Sequence, residues 1–196
     1  MKKLLFISVL IILAACNKTD IDGYKQYTIE EGSHYTNGYL NYRPLQDDRL
    51  HQEIYFGYEC WYDKSYVVHS GYNKLTGLSQ IAGVHNKSGR IVWQPDFDRV
   101  GYIKLSAYVY GADTTHGYII AESGWTAQYI TTVKTGDKFD IRIYRWDDKW
   151  EFFVGHTECV WIYADTPTGL MTLLIPYFGG RDAAYHEMNI YIKAID

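Results

Sequence analysis

Residues Tyr102 to Tyr110 alternate without a break: Ile103, Leu105, Ala107 and Val109 fall on one parity, and Tyr102, Lys104, Ser106, Tyr108 and Tyr110 on the other. Extended backbone points successive side chains to opposite sides, so a strict period of two predicts a strand with one buried face. Phe139, Ile141 and Ile143 repeat the pattern against Asp140, Arg142 and Tyr144, as do Met188, Ile190 and Ile192 against Asn189, Tyr191 and Lys193. Turn signals separate the runs. Asp147-Asp148 predicts a hairpin tip, and Thr135-Gly136-Asp137, Asp165 to Gly169 and Gly179-Gly180 mark further turns. No window of a dozen residues carries apolar spacing of three and four, which argues against long helices, and the wealth of Tyr, Trp, Thr, Val and Ile agrees. About ten or more such strands call for two packed sheets. The expected fold class is therefore all-β: a single antiparallel β-sandwich of jelly-roll or concanavalin A-like lectin type.

The N-terminus follows a different rule. Lys2 and Lys3 precede an apolar run from Leu4 to Leu13, which small residues close at Ala14, Ala15 and Cys16. A bilayer span needs about 20 apolar residues, so this run is too short to be one and reads as a secretion signal. Leu13-Ala14-Ala15-Cys16 resembles the lipobox of bacterial lipoproteins. That resemblance implies cleavage before Cys16 and acylation of Cys16, with palmitate among the chains. It predicts a signal peptide over 1–15, a lipidated tether over 16–31 with room for a first edge strand at its end, and a sandwich domain over 32–196. Two or more acyl chains give stable anchoring. Asn17 does not resemble the aspartate that retains some lipoproteins at the inner membrane, so the expected location is the outer membrane, on either face. Loss of Lys2 and Lys3 takes the formal charge from −4 to −6. A mildly acidic chain without a basic block is not built for nucleic acid.

Three stretches of the mature chain resemble a group of uncharacterised β-rich bacterial proteins. Lys74 to Ser79, followed by His85 to Trp93, is similar to that group's K-L-x-G-x-S and H-x-x-S-x-R-x-x-W pattern. Ile103 to Gly111 is similar to its central strand. Pro176-Tyr-Phe-Gly-Gly180, Ala184-Tyr-His-Glu-Met188 and Ile190-Tyr-Ile192 are similar to its closing P-Y-F-G-G, A-P-H-D-I and alternating isoleucines, with Tyr185, Glu187 and Met188 as departures. The resemblance implies a single domain and assigns no activity.

Candidate chemistry is sparse. Retaining glycoside cleavage needs two carboxylates about 5–5.5 Å apart. Asp96 and Asp98 have suitable spacing but sit in a Pro-containing segment that reads as a solvated turn, while Asp147 and Asp148 would not converge and Glu151 has no evident partner. The seven histidines are scattered, and no H-E-x-x-H or other metal pattern appears. Asp113, Asp165 and Asp182 are unremarkable calcium candidates. No cofactor or metal is expected. Cys60 and Cys159 are equally compatible with a disulfide and with two free thiols.

Twenty tyrosines and six tryptophans suit a sugar-binding surface, although sandwich cores also consume aromatics. Most of Trp61, Trp150 and Trp161 are expected in the core, whereas Trp125 and Trp146 sit near polar turns. The candidate ligand-binding set is His85, Arg90, Trp93, Trp125 and His186. Its structural counterpart is an Arg90–Glu187 pair that locks two strands. The leading expectation is a non-catalytic, lipid-anchored envelope protein that binds a glycan or another extracellular ligand. A structural or adhesin component of an envelope assembly, with protein partners, stands second, and a glycan-cleaving enzyme third.

Overall fold

The alternating runs form strands in a computed structural model that describes residues 22–37, 44–45, 48–66, 71–80, 87–110, 125–156, 158–164, 166, 169–179 and 182–195. Twelve strands occur among them: β1 (Lys25–Ile29), β2 (Pro44–Leu45), β3 (Arg49–Phe56), β4 (Asn73–Gln80), β5 (Ser88–Pro95), β6 (Tyr102–Tyr110), β7 (Trp125–Lys134), β8 (Phe139–Arg145), β9 (Lys149–Val154), β10 (Glu158–Tyr163), β11 (Met171–Leu174) and β12 (Met188–Ala194). Sheet A has the order β1-β12-β3-β8-β9-β10, and sheet B the order β2-β11-β4-β5-β6-β7. The chain visits sheet B for β2, returns to sheet A for β3, passes to sheet B again for β4 to β7 and comes back at β8. It crosses again for β11 and comes back for β12. All neighbours are antiparallel, which makes this the jelly-roll β-sandwich expected. No helix among the described residues is long and apolar enough to cross a membrane.

The predicted faces are the observed ones. Ile103, Leu105, Ala107 and Val109 of β6, Ile141 and Ile143 of β8, and Met188, Ile190 and Ile192 of β12 all enter the core between the sheets. Trp93 and Trp150 are fully buried there, beside Phe56 and Phe152. Asp147-Asp148 does form the hairpin tip, with Trp146 N donating to Lys149 O. β1 lies inside the stretch read as a tether and pairs along its whole length with β12, so the sheet begins at Lys25. Cys60 and Cys159 are both free: Cys60 is buried, with its thiol donating to Asn189 O at 3.3 Å, and Cys159 is exposed on β10. Trp161, expected in the core, is instead half-exposed, as Trp146 is.

The two sheets differ on the faces that point away from each other. On β8 the outward residues Asp140, Arg142 and Tyr144 are only partly covered. On β5 the outward residues Ser88, Arg90 and Val92 are 0%, 4% and 0% exposed, and Ser106 beside them on β6 is 5% exposed. This closely covered outward face, the recessed face below, carries polar and charged groups.

Candidate functional site

The recessed face is assembled by register. Arg90 on β5 lies directly opposite Tyr108 on β6 and Gly77 on β4. One rung along, Val92 lies opposite Ser106 on β6 and Lys74 on β4. Lys74 and Gly77 are three residues apart and would ordinarily point to opposite faces. A bulge between Lys74 and Thr76 sets three residues of β4 against two of β5, so both positions face outward while Leu75 drops into the core. Bulges re-aim side chains in this way at the cost of local pairing.

Beyond β4, Tyr177 continues the row, since its backbone exchanges both hydrogen bonds with Lys74. Lys74 therefore stands between two rings, with its Nζ 5.8 Å from the ring centre of Tyr177 and 6.0 Å from that of Tyr108. It donates to Tyr72 O at 3.0 Å. Burial, reinforced by the nearby charge of Arg90, pulls the Lys74 ammonium down to about 8. Burial also raises the Tyr108 and Tyr177 phenols above their ordinary value. Tyr177 stacks on His34 at 5.7 Å and meets the exposed Tyr35 edge-on at 5.3 Å, which extends the aromatic wall outward.

Two glycines make the space. A Cβ on Gly77 would lie 2.8 Å from Arg90 Cγ and 2.3 Å from Gly89 O, so a bare backbone is what lets the arginine lie across β4. Gly179 does the same beside Lys74. Its backbone N–H donates to Asn73 Oδ1, and Asn73 Nδ2 donates to Tyr62 OH at 2.9 Å. Asn73, Tyr62 and Gly179, with Gln94, Asp182 and Tyr185, line a cavity of about 330 Å³. Gly179 is thus a shared wall between that cavity and Lys74.

Among the described residues, the members of the predicted binding set do not come together. Trp93, three residues from Arg90, points the other way and is sealed in the core against Phe56 at 5.2 Å. His186 Nε2 donates to Glu59 O at 2.6 Å and ties the closing segment to the turn at Tyr58–Cys60. Arg90 is on the recessed face, but it does not pair with Glu187, which is exposed and accepts from Asn189 Nδ2. Trp125 opens β7 opposite Tyr110, and its side chain lies outside the described residues, as do His85, Asp113, Asp165 and Cys16. Asp96 and Asp98 form the expected turn. Lys104 binds Asp96 at 2.9 Å and holds it below the usual carboxylate range, while Asp98 stands in solvent. Among the described residues, no three His, Cys, Asp or Glu side chains gather as a metal cluster would require.

Lys74, Tyr108 and Tyr177 were not in the predicted set, yet all lie in the stretches already singled out. Lys74, Gly77, Ser79, Ser88 and Arg90 of the first, Tyr108 of the second, and Tyr177 and Gly179 of the third meet on this one face. Phe178 turns the opposite way and packs on Tyr62 and Trp93.

No protein-family model matches the sequence, and no curated protein matches it. Solved structures do share its architecture. The alginate lyase AlyC3 superposes with a TM-score of 0.57 at 11% identity, covering 88% of this chain and 74% of that one. The alginate lyase from Alteromonas sp. 272 gives 0.52 at 7% identity, over 92% and 90% of the two chains. A polysaccharide lyase of family 18 gives 0.51 at 7%, over 91% and 88%. These neighbours are lyases by name, which runs against the expectation of a non-catalytic binding protein. At such low identity the likeness is one of fold, and residue roles must come from this chain's own chemistry.

Proposed function

We propose that this protein is a carbohydrate-active enzyme that cleaves a polysaccharide lying along the recessed face of sheet B, in contact with Lys74, Arg90, Tyr108 and Tyr177. The observation that carries this reading is a lysine and an arginine set among tyrosines on a sheltered sheet face. Cationic and phenolic groups in a partly dry environment are suited to binding and proton transfer. The fold shared with alginate lyases supports it, as does the cavity beside Lys74. Depolymerisation of acidic and neutral polysaccharides by the purified protein, followed by size-exclusion chromatography, is the test. An unchanged chain-length distribution across a broad panel would remove this reading.

The same proposal places the enzyme at the bacterial envelope, held by acyl chains on Cys16 and facing its polymer from the outer membrane. The support is the N-terminal sequence. Metabolic labelling with palmitate should mark the wild-type chain, and Cys16→Ser should abolish both the label and partition into a detergent phase.

A further inference from the structure

We propose that the cavity at the Asn73 end of sheet B binds a single neutral sugar ring, held by the Tyr62 hydroxyl and the Asn73 and Gln94 carboxamides. Where a polymer lies along the recessed face, that ring is its chain end or a branch, and this part rests on the reading of that face as the cleavage site.

The cavity sits where β4 begins and β5 ends, and its walls are largely aromatic. Tyr62 meets Phe97 and Tyr185 edge-on at 6.3 and 5.6 Å and lies tilted against Phe178 at 5.8 Å. Flat apolar rings suit the C–H faces of a sugar. The most deeply buried polar groups among them are uncharged: Asn73 is 1% exposed and Tyr62 6%. Asn73 Oδ1 accepts from Gly179 N, and Asn73 Nδ2 donates to Tyr62 OH. The Tyr62 hydroxyl therefore accepts one hydrogen bond, and among the described residues no acceptor takes the proton it has to give. The Gln94 carboxamide, partly covered in the cavity wall, likewise has no hydrogen-bond partner among the described residues. A buried donor left unbonded costs free energy that a ligand oxygen would recover.

These groups select the ligand. Sugar hydroxyls both donate and accept, and carboxamides and a phenol answer them in kind. A charged group seated between Tyr62 and Asn73 would lose its water without gaining a counter-ion there. Burial pushes the Tyr62 phenol up to about 12, and the Asp182 carboxylate adds to the rise. The hydroxyl thus stays a donor, and a second negative charge beside it is disfavoured. Lys64 also lines the cavity, but it is exposed. A volume of about 330 Å³ is small for a ligand pocket, which suits one ring and not a run of them. Gly179 alone separates this space from Lys74, so a ring seated here leaves the rest of a chain free to lie on the recessed face.

The test is binding to the whole purified protein, read by calorimetry and ligand-observed NMR. The probes are the methyl glycosides of glucose, galactose, mannose and xylose, with those of glucuronate and galacturonate for comparison. At least one neutral glycoside should bind one to one with a millimolar Kd, and the uronates about tenfold or more weakly. Gln94→Ala removes a group with no partner in the fold, so it should keep the wild-type Tm and weaken binding by about threefold to tenfold. Tyr62→Phe should weaken it by a similar factor. No binding of any neutral glycoside, uronates bound as tightly, or a Gln94→Ala variant that binds like wild type would each overturn the proposal. A neutral polysaccharide that displaces the glycoside assigns the ring to the polymer, and a glycoside that no polymer displaces assigns it to a free sugar. Binding is read without turnover, so failure of every polymer to be cut would remove the cleavage reading and leave this site standing.

Discussion

A Cβ on Gly179 would stand 2.5 Å from the Nζ of Lys74 and 2.2 Å from Tyr72 O, so a side chain at this position would claim the space that the lysine fills. The lysine tip can swing, but the carbonyl belongs to backbone and cannot. Gly179→Ala must therefore move the turn that carries Tyr177 and Phe178. We expect a stability loss of about 1–3 kcal/mol in urea unfolding, together with a fall in any polysaccharide turnover. Wild-type values for both would mean that the turn has slack which the contacts deny.

Lys74 gives a pH dependence of definite sign. The unfolded chain keeps this proton up to the ordinary value of 10.5, and the folded protein only up to about 8. Below about 8 both states are protonated, and the fold bears the whole cost of sheltering the charge. Between about 8 and 10.5 folding releases the proton, so this group's penalty fades as pH rises. Lys74→Met never bears it. The variant should be more stable than wild type at neutral pH by about 1–2 kcal/mol, allowing for solvent screening, and the gap should close in alkaline buffer. Chemical denaturation at the two pH values decides the matter. A variant less stable than wild type at neutral pH contradicts the reading.

The aromatics divide sharply by burial. Trp93 is 0% exposed and packs on Phe56, Tyr62 and Phe178, so Trp93→Ala should cost about 3–5 kcal/mol. Trp161 is 51% exposed, and its indole N–H donates to Cys159 Sγ. Trp161→Ala should stay within about 1 kcal/mol of wild type. Equal unfolding midpoints for the two variants would refute the division.

The thiols should separate in the same way. Burial pushes the Cys60 thiol well up and closes it to reagents, whereas Cys159 is exposed although burial and the nearby Glu151 also raise it. Alkylation of the native protein followed by peptide mapping should find Cys159 modified and Cys60 modified only after unfolding. Early labelling of Cys60 would show that its cover against β12 opens readily.

Much of the fold was legible because strand faces follow parity, and parity is local. β6, β8 and β12 bury the residues that their alternation names, and Asp147-Asp148 makes the turn its residues favour. The described members of the predicted ligand cluster part for the same local reason. Arg90 and Trp93 are three apart on a regular strand, so one faces the recess and the other the core. His186 looked available in sequence but is spent on Glu59 O.

Composition and periodicity therefore determined an all-β, two-sheet protein, because alternation and turn chemistry act over a few residues at a time. Which outward face would be sheltered was decided only by tertiary structure. So was the meeting of Lys74, Arg90, Tyr108 and Tyr177. That meeting depends on cross-strand register, on a bulge that turns Lys74 and Gly77 the same way, and on a distant glycine that leaves the lysine room. Each of these couples residues far apart in the chain, and no local pattern encodes such a coupling.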